Sequence, residues 1–155
     1  MAGRIDARLK ELAIELPTPA IPVAAYVPAV RTGNTLFLSG QVTFWNGELR
    51  CVGKLGDNFT VEQGQEAARL CALNLIAQAK AALDGDLDRV VRVVKLVGFV
   101  NSTADFTDQP KVINGASETF VQVFGDAGRH ARSAVSAASL PLGVAVEVEA
   151  ILEVA

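Results

Sequence analysis

Histidine, tyrosine, tryptophan and methionine occur once each in this chain of 155 residues, and cysteine twice. The single histidine, His130, together with Cys51 and Cys71 outside any C-x-x-C motif, cannot complete a Cys/His zinc site. Cys71 falls in a helical pattern and reads as a small apolar residue. Cys51 reads as a structural thiol, and nothing recommends a disulfide between the two. The chain also lacks a basic excess: its formal net charge is −3 and its isoelectric point about 5.1. DNA, RNA and anionic membranes are therefore not expected as partners, and any anion must be held by a local site.

A long apolar run is missing too. The opening stretch MAGRIDARLKELAIEL mixes both charge signs and has no signal-peptide core. Leu16 to Val30 carries Pro17, Pro19, Pro22 and Pro28 and is too short to span a bilayer. A soluble, cytoplasmic protein is the expectation. GKLGDNF (53–59) lacks the G-x-x-x-x-G-K-[ST] pattern, so no phosphate cradle is expected. Ser39 and Ser133 have no histidine partner suggested by sequence, which weakens a serine-hydrolase reading.

What is present is apolar and regular. Hydrophobic residues make up 50% of the chain and charged residues 20%, which suits one packed domain over 1–155. Ile5, Leu9, Leu12 and Leu16 recur at helical spacing, so 1–20 reads as an N-terminal helix (residues 3–15) with a proline-rich lead-in. AAYVPAV runs extended, and RTGNTLFLSGQVTFW reads as a turn at Gly33-Asn34 followed by a strand. Asn46-Gly47 suggests a second hairpin with a type I′ turn. Thr60 and Gln63 form a capping box at the start of a helix to about Leu83. Its apolar stripe is Ala68, Cys71, Leu75 and Ala79, and Asp84-Gly85-Asp86 ends it. RVVRVVKLVGFV (89–100) reads as a β-branched strand covered on both faces. Pro110 suits the first turn of another helix, which runs to Gly125. The order β-β-β-α-β-α-β-β behind the N-terminal helix predicts an α+β domain, one mixed sheet with two helices on one face. The other face then needs a partner.

The last two strands read as a hairpin across LPLG (140–143). Val144, Val146, Val148, Ala150, Leu152 and Val154 point one way; Ala145, Glu147, Glu149, Ile151 and Glu153 point the other. With Ser139 opposite Val144, Arg132 opposes Ile151 and shares the outer face with the three glutamates. A one-residue slip would reverse that. Arg132 sits among Ala, Ser and Val, which allow a ligand or another backbone to approach, and its planar fork suits a carboxylate. The same pattern also suits a solvated cross-strand charge pair. His130 reads more readily as a surface or satisfied residue than as a base.

Three stretches, AAYVPAVRTGNTLFLSGQV, NGASETFVQVFG and ARSAVSAASLPLGVAVEVEA, resemble the reactive-intermediate deaminase family, RidA/YjgF. Many of its members are called endoribonuclease L-PSP. The resemblance covers about residues 23–153, and the N-terminal helix and longer hairpins are similar to a longer subgroup. It implies a chorismate-mutase-like α+β fold of the bacillus type, assembled as a homotrimer around its helix-free sheet faces. Three sites would lie in clefts between subunits.

The resemblance also implies roles. Arg132 would grip a substrate carboxylate, while Glu147 and a main-chain carbonyl near Ala134 would hold the hydrolytic water. Tyr26, Ser39 and Gly40 match cleft-lining positions, and Asn114 matches a helix asparagine near the cleft. Ala134 replaces the family's usual cysteine, a departure that costs little if only its backbone is used. Neither a metal nor another cofactor is implied. The implied activity is hydrolytic deamination of 2-imino acids, or their enamine tautomers, to 2-oxo acids and ammonia. The alternative is a non-catalytic trimer that binds small carboxylate metabolites or a protein partner. Ribonuclease activity fits least, because RNA cleavage needs paired acid and base groups and a cationic groove.

Overall fold

Helix α1, Arg4–Glu11, is shorter than its apolar spacing predicts. The computed structural model describes residues 3–155, so the first two residues of the expected 1–20 lead-in lie outside it. The exposed N–H groups of α1 are capped from elsewhere in the chain. Asp88 accepts from Arg4 N at 2.7 Å and Ile5 N at 2.8 Å, and these bonds hold its carboxyl below the usual range. Gly3 leaves room for this contact, because a Cβ there would press on the Asp88 carboxylate.

Two hairpins precede the first long helix. Strands β1 (Ala29–Thr32) and β2 (Thr35–Gln41) turn at Gly33; β3 (Phe44–Trp45) and β4 (Glu48–Leu49) turn at Asn46-Gly47. Both residues of the second turn have positive φ, 49° and 86°, as a type I′ turn requires. The chain thus has four short strands here, where the sequence suggests three. Helix α2, Val61–Ala82, starts with both bonds of the Thr60/Gln63 capping box in place. Helix α3, Gln109–Phe124, has Pro110 in its first turn and stops at Gly125. Among the described residues no helix is long and apolar enough to cross a membrane.

The remaining strands are β5 (Val90–Asn101), β6 (Ala131–Ala137) and β7 (Val146–Val154). The main sheet runs β1-β2-β7-β5-β6 and is mixed: β6 is parallel to β5, and β7 is antiparallel to both β2 and β5. The α+β expectation therefore holds, but the final hairpin does not form. Residues 138–145 carry the chain past the end of β5 to its other edge. There Asn101 N–H donates to Ala145 O at 2.9 Å and its side chain to Val144 O at 3.1 Å. The largely apolar β5 takes both late strands as neighbours.

This topology reverses one expected juxtaposition. Arg132 aligns with Leu96, and Leu96 with Ala150, so Arg132 points to the helix-covered face. Glu147 aligns with Phe99 and points to the other. Helix α2 lies over β2 and β7, and α3 over β5 and β6. Leu36, Leu75, Leu96, Phe120 and Leu152 are buried between helices and sheet. The opposite face is bare in the single chain, which corrects the expectation of a doubly covered β5: Val91 is 48% exposed and Val94 41%, beside Phe37 and Val135 at 45% and 44%.

Candidate functional site

The predicted residues fall into two clusters. The first lies where α3 covers the edge strand β6. Arg132 is half-buried, its Nη1 donating to Ser117 Oγ at 3.0 Å and its Nη2 to Pro110 O at 3.1 Å. Pro110, Asn114 and Ser117 stand at i, i+4 and i+7, one stripe of α3. Asn114 therefore shares the helix face that meets Arg132. Ala134 follows two residues later on the same face and packs against the core. No carboxylate among the described residues pairs with Arg132. Its charge is met by two neutral oxygens only, so the solvated charge pair that the sequence also allowed is not what forms.

The second cluster lies at the β2/β7 side. A bulge between Leu38 and Gln41 releases Ser39 and Gly40 from the ladder. Ser39 Oγ then donates to Val27 O at 2.7 Å, and Ser39 N–H to Pro28 O at 2.9 Å, fastening the lead-in. Glu147 leans across Gly40 so closely that a Cβ built there would overlap its carboxylate. Burial, and then the like charge of Glu149, push the Glu147 carboxyl above its ordinary value. Glu147, Gly40 and Tyr26 line a groove of about 770 Å³.

Apart from Tyr26, Gly40 and Glu147, the groove walls went unread in the sequence, where the proline-rich stretch after α1 reads only as an extended lead-in. They are held in place by polar bonds. Gln78, buried on α2, donates to Ala20 O at 2.8 Å, and Asn46 Oδ1 accepts from Thr18 N at 2.8 Å. Ile21, Pro22, Val42, Phe44, Pro141 and Leu142 make the lining largely apolar. Ser117 was missed as well, although its place three residues after Asn114 on one helical stripe signalled it.

Arg132 and Glu147 do not meet within a chain. Two strand spacings and a three-residue offset put their Cα atoms roughly 14 Å apart, with the side chains on opposite faces. One cluster offers an unneutralised cation, and the other a carboxylate able to accept a proton.

The family model described as "YjgF/chorismate_mutase-like, putative endoribonuclease" matches residues 6–153. The chain belongs to this family. The YjgF relationship expected from the sequence thus stands, and with it the chorismate-mutase-like fold. Protein TCP17 of Trypanosoma cruzi is 51% identical over 98% of this chain and 95% of its own length. A 2-iminobutanoate/2-iminopropanoate deaminase of Dermatophagoides farinae is 30% identical, covering 90% of this chain and 93% of its own. A crystal structure of a protein of unknown function from Agrobacterium tumefaciens superposes with a TM-score of 0.91 at 48% identity, over 97% of this chain and 92% of that one. The YjgF chain described here therefore has relatives of similar length, one of them named for imine chemistry.

Proposed function

We propose that this protein is a cytoplasmic hydrolase of 2-imino acids and their enamine tautomers, releasing 2-oxo acids and ammonia. The observation that carries the reading is the unneutralised guanidinium of Arg132, a grip for the carboxylate that every such substrate bears. YjgF membership and the deaminase-named relative support the same chemistry.

Because Arg132 and Glu147 of one chain face opposite ways, the reading requires Arg132 of one copy to meet Glu147 of another. The bare sheet face, with Phe37, Val91, Val94 and Val135 exposed, gives copies an apolar reason to associate. A homotrimer is the assembly this reading adopts. In each composite site Arg132 holds the substrate carboxylate by a two-pronged contact, with Asn114 beside it. Glu147, as the carboxylate, takes a proton from water while the water oxygen bonds to the imine carbon. The C=N electron pair moves to nitrogen, which takes the proton that Glu147 has just received. Glu147 then carries the hydroxyl proton of the carbinolamine to nitrogen, and the C–N bond breaks to release ammonia as the C=O bond of the 2-oxo acid forms. Tyr26, Ser39 and Gly40 shape the cleft, and the backbone at Ala134 helps to hold the water.

The test generates imino acids with an amino-acid oxidase and follows 2-oxo acid release. The protein is expected to accelerate release above buffer, and Arg132→Ala to return it to the buffer rate. Wild-type protein that matches buffer across a panel of imines would end the enzymatic reading. Carboxylate binding seen by calorimetry in that case would favour the non-catalytic binder.

A further inference from the structure

The hydroxyl of Ser117 is shared between two partners. It accepts from Arg132 Nη1 at 3.0 Å and lies 2.9 Å from His130 Nε2. Across the ring, His130 Nδ1 lies 2.7 Å from Gly128 O. These distances fix the direction of every bond when the ring is neutral. A carbonyl oxygen only accepts, so Nδ1 carries the proton. Nε2 is then an acceptor, the Ser117 O–H donates to it, and the Ser117 lone pairs turn to Arg132. The half-buried ring packs edge-on against Phe120 of α3, with centroids 6.2 Å apart. From β6, which begins at the next residue, Arg132 is the charged group acting on it. Burial and then the Gly128 bond oppose each other, with Arg132 adding to burial; the net direction lowers the ring's affinity for a second proton.

We infer that Ser117 and His130 are positioning residues for Arg132, a chain from Gly128 O through His130 and Ser117 that aims the guanidinium at a carboxylate. The inference rests on the reading of Arg132 as a carboxylate grip. An arginine loses side-chain freedom when it binds, and ordering it beforehand lowers that cost. An acidic partner could order it too, but would compete with the ligand for the same N–H groups. Here the partners are neutral oxygens, so orientation comes without neutralisation. The assignment also explains why the one histidine of the chain stands two residues before Arg132.

Because His130 is the sole histidine, its ring signals in an NMR spectrum need no assignment. The neutral ring is expected as the Nδ1–H tautomer. Adding pyruvate, a product-like carboxylate, should raise the His130 pKa in wild type and leave it unmoved in Arg132→Ala, as linkage between neighbouring charges requires. In imine hydrolysis, Ser117→Ala and His130→Leu should raise KM about tenfold, the weight of one charge-assisted hydrogen bond, with a smaller effect on kcat. Ser117→Thr and His130→Gln keep a polar partner and should recover most of that loss.

An Nε2–H tautomer, or a His130 signal blind to pyruvate while Arg132→Ala abolishes binding, overturns the inference and spares the proposed function. Wild-type pyruvate affinity in Arg132→Ala overturns the proposed function itself. If Ser117→Ala does not fold, the wild-type titration decides alone.

Discussion

The Arg132 side and the Glu147 side of one sheet are built in contrasting ways. Around Arg132 the polar groups are ordered by short bonds to α3, and the neighbours on β6 are small. Around Glu147 the walls are apolar and the carboxylate is half-buried against a glycine. The first region is prepared to hold a charge in a fixed direction. The second provides volume and a base whose proton affinity is raised. Neither region alone can bind an imino acid and attack it with water. The contrast teaches that Arg132 and Glu147 of one protomer face opposite ways, so that on the proposed reading each is half of a site that a second copy must complete.

Removing the cation should break the comparison most severely. Arg132→Ala is expected to abolish imine hydrolysis and to weaken carboxylate binding by about 2–5 kcal/mol if the pair is buried in the assembly. Calorimetry with pyruvate and the oxidase-coupled assay measure the two effects. On the other side, Gly40→Ala drives a methyl group into the Glu147 carboxylate. Its expected cost is about tenfold in kcat, a displacement of the base that stabilises the transition state less by about 1.4 kcal/mol. The fold should survive, as judged by circular dichroism.

A pH profile sharpens the same contrast. Glu147 acts as a base only when ionised, and its pKa lies above the ordinary carboxylate value. Activity should therefore fall, on acidification, at a higher pH than an ordinary glutamate would give, and Glu147→Gln should remove that limb. The stability sign runs the other way. A folded pKa above the unfolded one contributes stability below the unfolded value and loses it as pH rises through the folded value. Glu147→Gln should thus melt higher than wild type near neutral pH. The smallest effect belongs to a position far from both clusters. Asp88→Ala should cost about 1 kcal/mol through the lost cap of α1 and leave the imine kinetics unchanged, as thermal melts and the coupled assay would record.

Much of this was legible in the residues wherever a local rule decides. The Thr60/Gln63 capping box, the Asn46-Gly47 turn and the Pro110 start of α3 are contacts between residues a few places apart, and each stands as read. The alternation along β7 was also correct, because it follows from backbone pleating alone. What failed was long-range. The insertion of β5 between β6 and β7 depends on competition among strands for one apolar partner, which no local signal reports. With that error the face of Arg132 was inverted: its side chain lies beside α3, not among the glutamates of β7. The groove escaped notice for a related reason. Prolines at 17, 19 and 22 mark an irregular segment, but only Gln78 and Asn46, distant in sequence, turn it into a wall.

The central requirement is a cation and a base contributed by different copies. Arg132→Ala and Glu147→Gln proteins, each inactive alone, should be unfolded together in equal amounts, refolded as mixed oligomers and assayed for imine hydrolysis. A composite site pairs one intact arginine with one intact glutamate in about a quarter of random neighbour contacts, so about a quarter of wild-type activity should return. Mixed oligomers that remain as inactive as their parents would contradict the account.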